Sequence, residues 1–145
     1  MTLSGLALAG ANQGLKGELG PDKEDGILWA LEAMTLNLSG TELIALSACE
    51  TGEGVVDYSD GVYGLVRAFA VAGARTVLMT LWPVGDEQAK DFMARFYHNW
   101  FSQKESDPAL ALHKTRLYYI NHPEPSIRRN PRRWWAPFVL VETAN

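Results

Sequence analysis

The sequence predicts an α/β fold, and three observations carry that prediction. Apolar stretches of strand length alternate along the chain with amphipathic stretches of helical period. Two of the strand-like stretches, Glu42–Cys49 and Arg75–Trp82, are almost continuously apolar, as strands covered on both faces of a parallel sheet are. Each is followed by a polar or glycine-bearing loop and then a helix, which is the rhythm of crossover connections.

In chain order, residues 5–11 form a short apolar run that reads as a strand, ended by the turn-prone Asn12-Gln13-Gly14. After the charged turn 22–26, Ile27, Leu28, Leu31 and Met34 recur at helical spacing and predict a helix up to Asn37. Residues 42–49 form the next strand, expected to be buried on both faces, and it stops at Glu50-Thr51-Gly52-Glu53-Gly54. From Gly61 a stripe of Val62, Leu65, Val66, Phe69, Ala70 and Ala72 predicts a helix, with Gly73 as its C-terminal cap. Residues 75–82 form a strand that Pro83 ends. Asp86 suits the N-cap of a long helix whose buried face is Ala89, Phe92, Met93, Phe96 and Trp100. Another helix runs from Pro108, a favoured first-turn proline, to Ile120. Residues 122–133 read as a basic surface loop, and Phe138–Val141 as a closing strand to whose core Trp135 belongs.

No repeat, low-complexity tract or linker divides the 145 residues, so a single domain is expected. The lone Cys49 excludes a disulfide within the chain and points to a reducing, cytoplasmic setting. A formal charge of −4 is the wrong sign for a protein held mainly by nucleic-acid phosphates, and Arg128, Arg129, Arg132 and Arg133 do not reverse that total. No apolar run approaches the roughly twenty residues of a membrane span, and the N-terminal residues lack the basic start of a secretory signal. The glycines at 10, 14 and 17 have no following Gly-Lys-Ser/Thr and so are not a phosphate loop, although a small flavodoxin-like nucleotide binder would fit the strand alternation. Glu53, Asp57 and Asp60 do not have calcium-ligand spacing and read as a solvated loop. Neither metal nor cofactor is expected.

In open α/β sheets, chemistry sits beyond the carboxyl ends of the strands. Cys49 ends one strand and opens a glycine-rich loop whose backbone N–H groups suit a thiolate and a tetrahedral oxyanion. The competing reading is a buried cysteine acting as a small hydrophobe. The loop Trp82–Asp86 is the second such position.

Leu46-Ser47-Ala48-Cys49-Glu50-Thr51-Gly52-Glu53-Gly54, then Gly61-Val62-Tyr63-Gly64-Leu65, Leu81-Trp82-Pro83-Val84-Gly85-Asp86 and Trp135-Ala136-Pro137-Phe138-Val139-Leu140, resemble in this order the C-terminal part of a CHAT domain. The resemblance spans about Gly5 to Val141. It implies a caspase-like three-layer sandwich, a mostly parallel sheet flanked by helices, here lacking its N-terminal strands. It implies a cysteine peptidase acting on protein or peptide substrates through a Cys–His dyad, with Cys49 as nucleophile. Asp86, Trp82 and Glu50 are then the substrate-binding candidates. Asp86 matches an acidic residue that in separase-like relatives faces a basic side chain, with N-capping as its alternative role. The family's base lies upstream in a His-Gly pattern, and no histidine precedes Cys49. His98 lies off the apolar face of its helix, His113 is mid-helix and His122 precedes Pro123, and none matches that pattern. A tetratricopeptide-repeat region or partner chain is expected to supply the missing part. The alternative is a catalytically inactive caspase-like module for assembly, with an open sheet edge that recruits a second copy or another chain.

Overall fold

A computed structural model of the chain describes residues 4–21, 23–46, 58–102 and 107–143, the stretch 58–62 for its backbone. The chain is mixed α/β, with one two-stranded antiparallel sheet and one three-stranded sheet of mixed direction. It divides into two compact units, the first drawn from residues 1–42, 51–75 and 143–145, the second from 43–50 and 76–142.

In the first unit β1 (Gly5–Ala7) pairs antiparallel with β2 (Ile27–Trp29), Leu6 opposite Leu28. The helix expected from Ile27 therefore starts later, as the single turn α2 (Ala30–Ala33). Three apolar residues in succession carry no period of their own, and the main-chain partners of β1 decide the conformation. Asp25 fixes the entry to β2: one carboxylate oxygen accepts the Ile27 N–H and the other the Trp29 indole N–H, both at 2.9 Å. The strand of β1 is also shorter than the apolar run, because Ala11–Gly14 turns into the short helix α1. Here the glycines find their role. A Cβ on Gly14 would come within 1.9 Å of the Asp25 carbonyl oxygen, and Gly26, at φ +72°, would place one 2.5 Å from the Ala11 nitrogen. Glycine lets two backbone segments touch at this point.

The hydrogen bonds to Asp25 hold its carboxyl below the ordinary value of 3.8, the indole first and the Ile27 amide second. Because the folded value is depressed, the stabilisation is present above that ordinary value and is lost as pH falls through the folded one. Urea unfolding of Asp25→Asn, followed by the Trp29 fluorescence, is expected to show a flatter acid limb than the parent chain and to converge with it at low pH. Parallel acid limbs would contradict the role given to Asp25.

The longer helix of this unit, α3 (Tyr58–Val71), buries Leu65, Val66, Ala68 and Phe69. It ends as its sequence predicts. Gly73 adopts φ +104°, and the Ala74 N–H reaches back to the Phe69 carbonyl at 3.0 Å, satisfying an end-of-helix acceptor.

The second unit is built on β3 (Leu43–Leu46), β4 (Thr76–Thr80) and β5 (Phe138–Glu142), in the order β3-β4-β5. β3 and β4 run parallel, with Leu46 opposite Met79, and β5 returns antiparallel, with Phe138 opposite Thr80. One pair of this sheet is thus parallel and one antiparallel. Only the central β4 is buried along its whole length. β3, expected to be covered on both faces, is half-buried and leaves Ala45 exposed, because it is an edge strand among the described residues.

Two long helices pack with this sheet. α4 (Asp86–Phe101) turns Ala89, Phe92, Phe96 and Trp100 inward, as its period predicts, and also buries Gln88, whose amide donates to the Arg133 carbonyl. α5 (Pro108–Ile120) starts at Asp107, whose carboxylate accepts the Ala109 N–H at 2.9 Å. Asn99 of α4 donates to the Thr115 hydroxyl, which donates in turn to the Ala111 carbonyl, so the buried Thr115 hydroxyl is paired. The core is aromatic: Phe92 lies flat on Phe138 at 3.7 Å and stacks on Tyr119 at 5.8 Å. The basic segment expected as a loop contains two single turns, α6 (Pro125–Arg128) and α7 (Arg132–Trp135). Trp135 therefore ends a helical turn instead of entering a strand, with the Arg116 guanidinium 5.7 Å from its ring. All four arginines of this segment are exposed.

Candidate active site

The parallel register sets the geometry of the candidate site. Because β3 and β4 run the same way with Leu46 beside Met79, both strands leave the sheet at one end. From Leu46 the sequence continues toward Cys49, three residues on. From Thr80 it continues into 81–85 and α4. Chemistry-bearing loops gather at this end of parallel strands because the strand termini and the following helix N-terminus meet there.

Of the predicted site residues, Cys49 and Glu50 lie outside the described residues, as do Glu53 and Asp57. Trp82 and Asp86 are placed. Leu81 is held to the sheet by its N–H, which donates to the Pro137 carbonyl at 2.9 Å. Val84 is buried in the core with Phe92 and Phe138, and anchors the loop from below. Between these two fixed points Trp82 is 46% exposed, an uncommon state for so large an apolar side chain. Asp86 is also exposed. Gly85, at φ −63° and ψ 146°, takes the N-cap position that suited Asp86, and its carbonyl accepts the Ala89 N–H at 2.9 Å. Asp86 and Glu87 follow in the first turn, where their charges oppose the positive end of the helix dipole.

The three histidines stand in α4, in α5 and in the turn after it. His98 and His113 are exposed. His122 has both ring nitrogens engaged: Nδ1 accepts the Glu124 N–H at 3.2 Å, and Nε2 lies 3.0 Å from the Tyr118 hydroxyl. A ring so held has no free nitrogen with which to take a proton from a thiol. Among the described residues no group of three or more His, Cys, Asp and Glu side chains is arranged to hold a metal ion. Among the same residues no helix is long and apolar enough to cross a membrane.

The sequence profile of the CHAT domain matches residues 2–143. The chain belongs to the CHAT domain family. Tetratricopeptide repeat protein 28 of human is 33% identical over 126 residues, 83% of this CHAT chain and 5% of the human protein. Its mouse counterpart is 34% identical over 90 residues, 62% of the chain and 4% of that protein. The CHAT chain therefore spans about one-twentieth of the length of these curated relatives. No solved structure matches it significantly.

Sequence reasoning passed over one group of side chains in this unit. Arg95 and His98 of α4, with Tyr118 of α5 and His122 beyond it, line a cleft of about 500 Å³. The only trace of it in the sequence is the four-residue spacing of Tyr118 and His122, which brings them to one side of the chain.

Proposed function

We propose that this chain is the nucleophile-bearing part of a cysteine peptidase of the CHAT family, in which Cys49 attacks the peptide carbonyl of a protein substrate. Membership of the family over nearly the whole chain carries the reading. The parallel exit of β3 and β4 supports it, since the stretch leading to Cys49 and the loop 81–85 start from the same end of the sheet. In this reading Glu50 lies beside the nucleophile in the chain, Trp82 offers an exposed apolar face to the substrate, and Asp86 attracts a basic side chain. The general base is a histidine from outside these 145 residues, on a further segment or a partner chain such as a tetratricopeptide-repeat protein. The complete domain is a cytoplasmic caspase-like sandwich of which residues 1–145 form one part, and the reaction needs neither metal nor cofactor.

A second reading, an inactive caspase-like module for assembly, is favoured by one observation: among the described residues the outer edge of β3 pairs with no strand. Edges of this kind add strands from another chain, including a second copy.

An electrophilic peptide probe separates the two. With a segment carrying a His-Gly strand supplied, peptide mapping is expected to find the probe on Cys49, and the chain without that segment is expected to label far more slowly. No labelling in the complemented form, together with a dimer by light scattering, would overturn the peptidase reading in favour of assembly.

A further inference from the structure

We infer that the cleft between α4 and α5 is a binding site for a single carboxylate group, separate from the proposed chemistry at Cys49. His122 orients the donors of the cleft. Its Nδ1 accepts the Glu124 N–H at 3.2 Å, so the neutral ring carries its proton on Nε2 and donates it to the Tyr118 oxygen at 3.0 Å. The Tyr118 hydroxyl is then an acceptor toward His122, and its own proton points elsewhere. The ring of His122 stands edge-on to that of Tyr118, at 76° and 4.9 Å, which holds the phenol in place.

Over the face of the same phenol lies the Arg95 guanidinium, 4.0 Å from the ring centre. Among the described residues Arg95 makes no ion pair or hydrogen bond, although Asp91 stands one turn before it on α4. The contact with the ring holds the guanidinium at this place and leaves its N–H groups without an acceptor among the described residues. A planar cation with a free N–H fork beside an oriented O–H donor is the arrangement that receives a carboxylate through two parallel hydrogen bonds. His98, one turn further along α4, lines the same cleft and adds a ring nitrogen.

The rim narrows the ligand class. Asp91 and Glu124 also line the cleft. Two carboxylates there oppose any anion and oppose a more highly charged one most, which argues against inorganic phosphate and nucleic acid. A ligand with one carboxylate, held by the Arg95 hydrogen bonds, meets the least of this repulsion, and a basic flank offsets it. An acidic side chain in a peptide fits this description, and so does a small free carboxylate.

The test is an NMR titration of the 145-residue chain, reading the Tyr118 ring and the His98 and His122 Cε1–H signals. Four probes are used: a short alanine–serine peptide, acetylated and amidated at its ends, with one central glutamate, the same capped peptide with glutamine, sodium acetate and inorganic phosphate. The glutamate peptide is expected to shift these signals saturably and to bind at least about ten-fold more tightly than the glutamine peptide, the size of a charge-assisted contact. Arg95→Gln and Tyr118→Phe are each expected to remove that difference while the backbone amide spectrum stays dispersed. Acetate binding as tightly as the glutamate peptide assigns the site to free small carboxylates, and acetate binding much more weakly assigns it to acidic peptides. Equal binding of the two peptides, absence of any shift, or phosphate matching the glutamate peptide overturns the inference. The two-peptide comparison needs no variant, so a substitution that fails to fold leaves the test intact.

Discussion

Phe92→Ala is expected to lower the stability of the second unit by about 3–5 kcal/mol, the range for removing a buried phenylalanine. Phe92 is fully buried, lies parallel to Phe138 within 3° at 3.7 Å and stacks on Tyr119 as well. It therefore joins α4, α5 and β5 at one point. Two costs combine when it is truncated: the ring is no longer withheld from water, and the space between two helices and a strand cannot close without shifting Phe138 or Tyr119. Domains of ordinary stability keep only about 5–15 kcal/mol in hand, so the loss takes a large share of the total. Urea denaturation measures it, as a lower midpoint with an unchanged slope. Phe92→Leu, which keeps most of the volume, should lose less than half as much. A loss under about 1 kcal/mol for the alanine variant, the level of an ordinary surface substitution, would show that this stack is not the centre of the core.

The largest effect on activity is expected at Cys49. In the complemented protein, Cys49→Ala is expected to reduce peptide hydrolysis by about 10⁴-fold or more, because removing a nucleophile leaves only binding and oxyanion stabilisation. The substitution deletes one sulfur atom and keeps a small apolar side chain, so the urea midpoint should move little. That pairing of results separates a nucleophile from a buried structural cysteine, which would show the reverse: activity kept and stability lost. Retained hydrolysis by the alanine variant, with the parent chain active, would move the chemistry to another residue.

Local signals made several elements legible. α4 and α5 are long enough for the 3.6-residue period to emerge, and Asp107-Pro108 marks the start of α5 in both capping and backbone terms. Gly73 announces the end of α3 because only a residue without a Cβ takes φ +104° easily. β4 is recognisable because a central strand must be apolar on both faces. The loop 81–85 of the candidate site was visible for the same reason, since it follows a strand-like apolar run. β2 was not visible: three residues of strand depend on β1, more than twenty residues earlier. The exposed Asp86 and the N-cap at Gly85 were also hidden, because Asp86 has the right chemistry for a cap and the backbone turned one residue sooner. The carboxylate cleft left almost no local trace, since Arg95 and Tyr118 meet only when α4 and α5 pack together.

By itself the sequence determined the α/β class, the long helices, the central strand and the family, each of which rests on period, capping or a contiguous motif. Only the tertiary structure decided which strands pair and in which direction, that among the described residues β3 lies at an edge, and that Arg95 is held over Tyr118 with no hydrogen-bond partner among those residues. The division has one physical cause. Hydrophobic period and backbone capping act between residues a few positions apart, whereas strand partners and side-chain clusters are chosen by the burial of surfaces that the chain brings together from far apart.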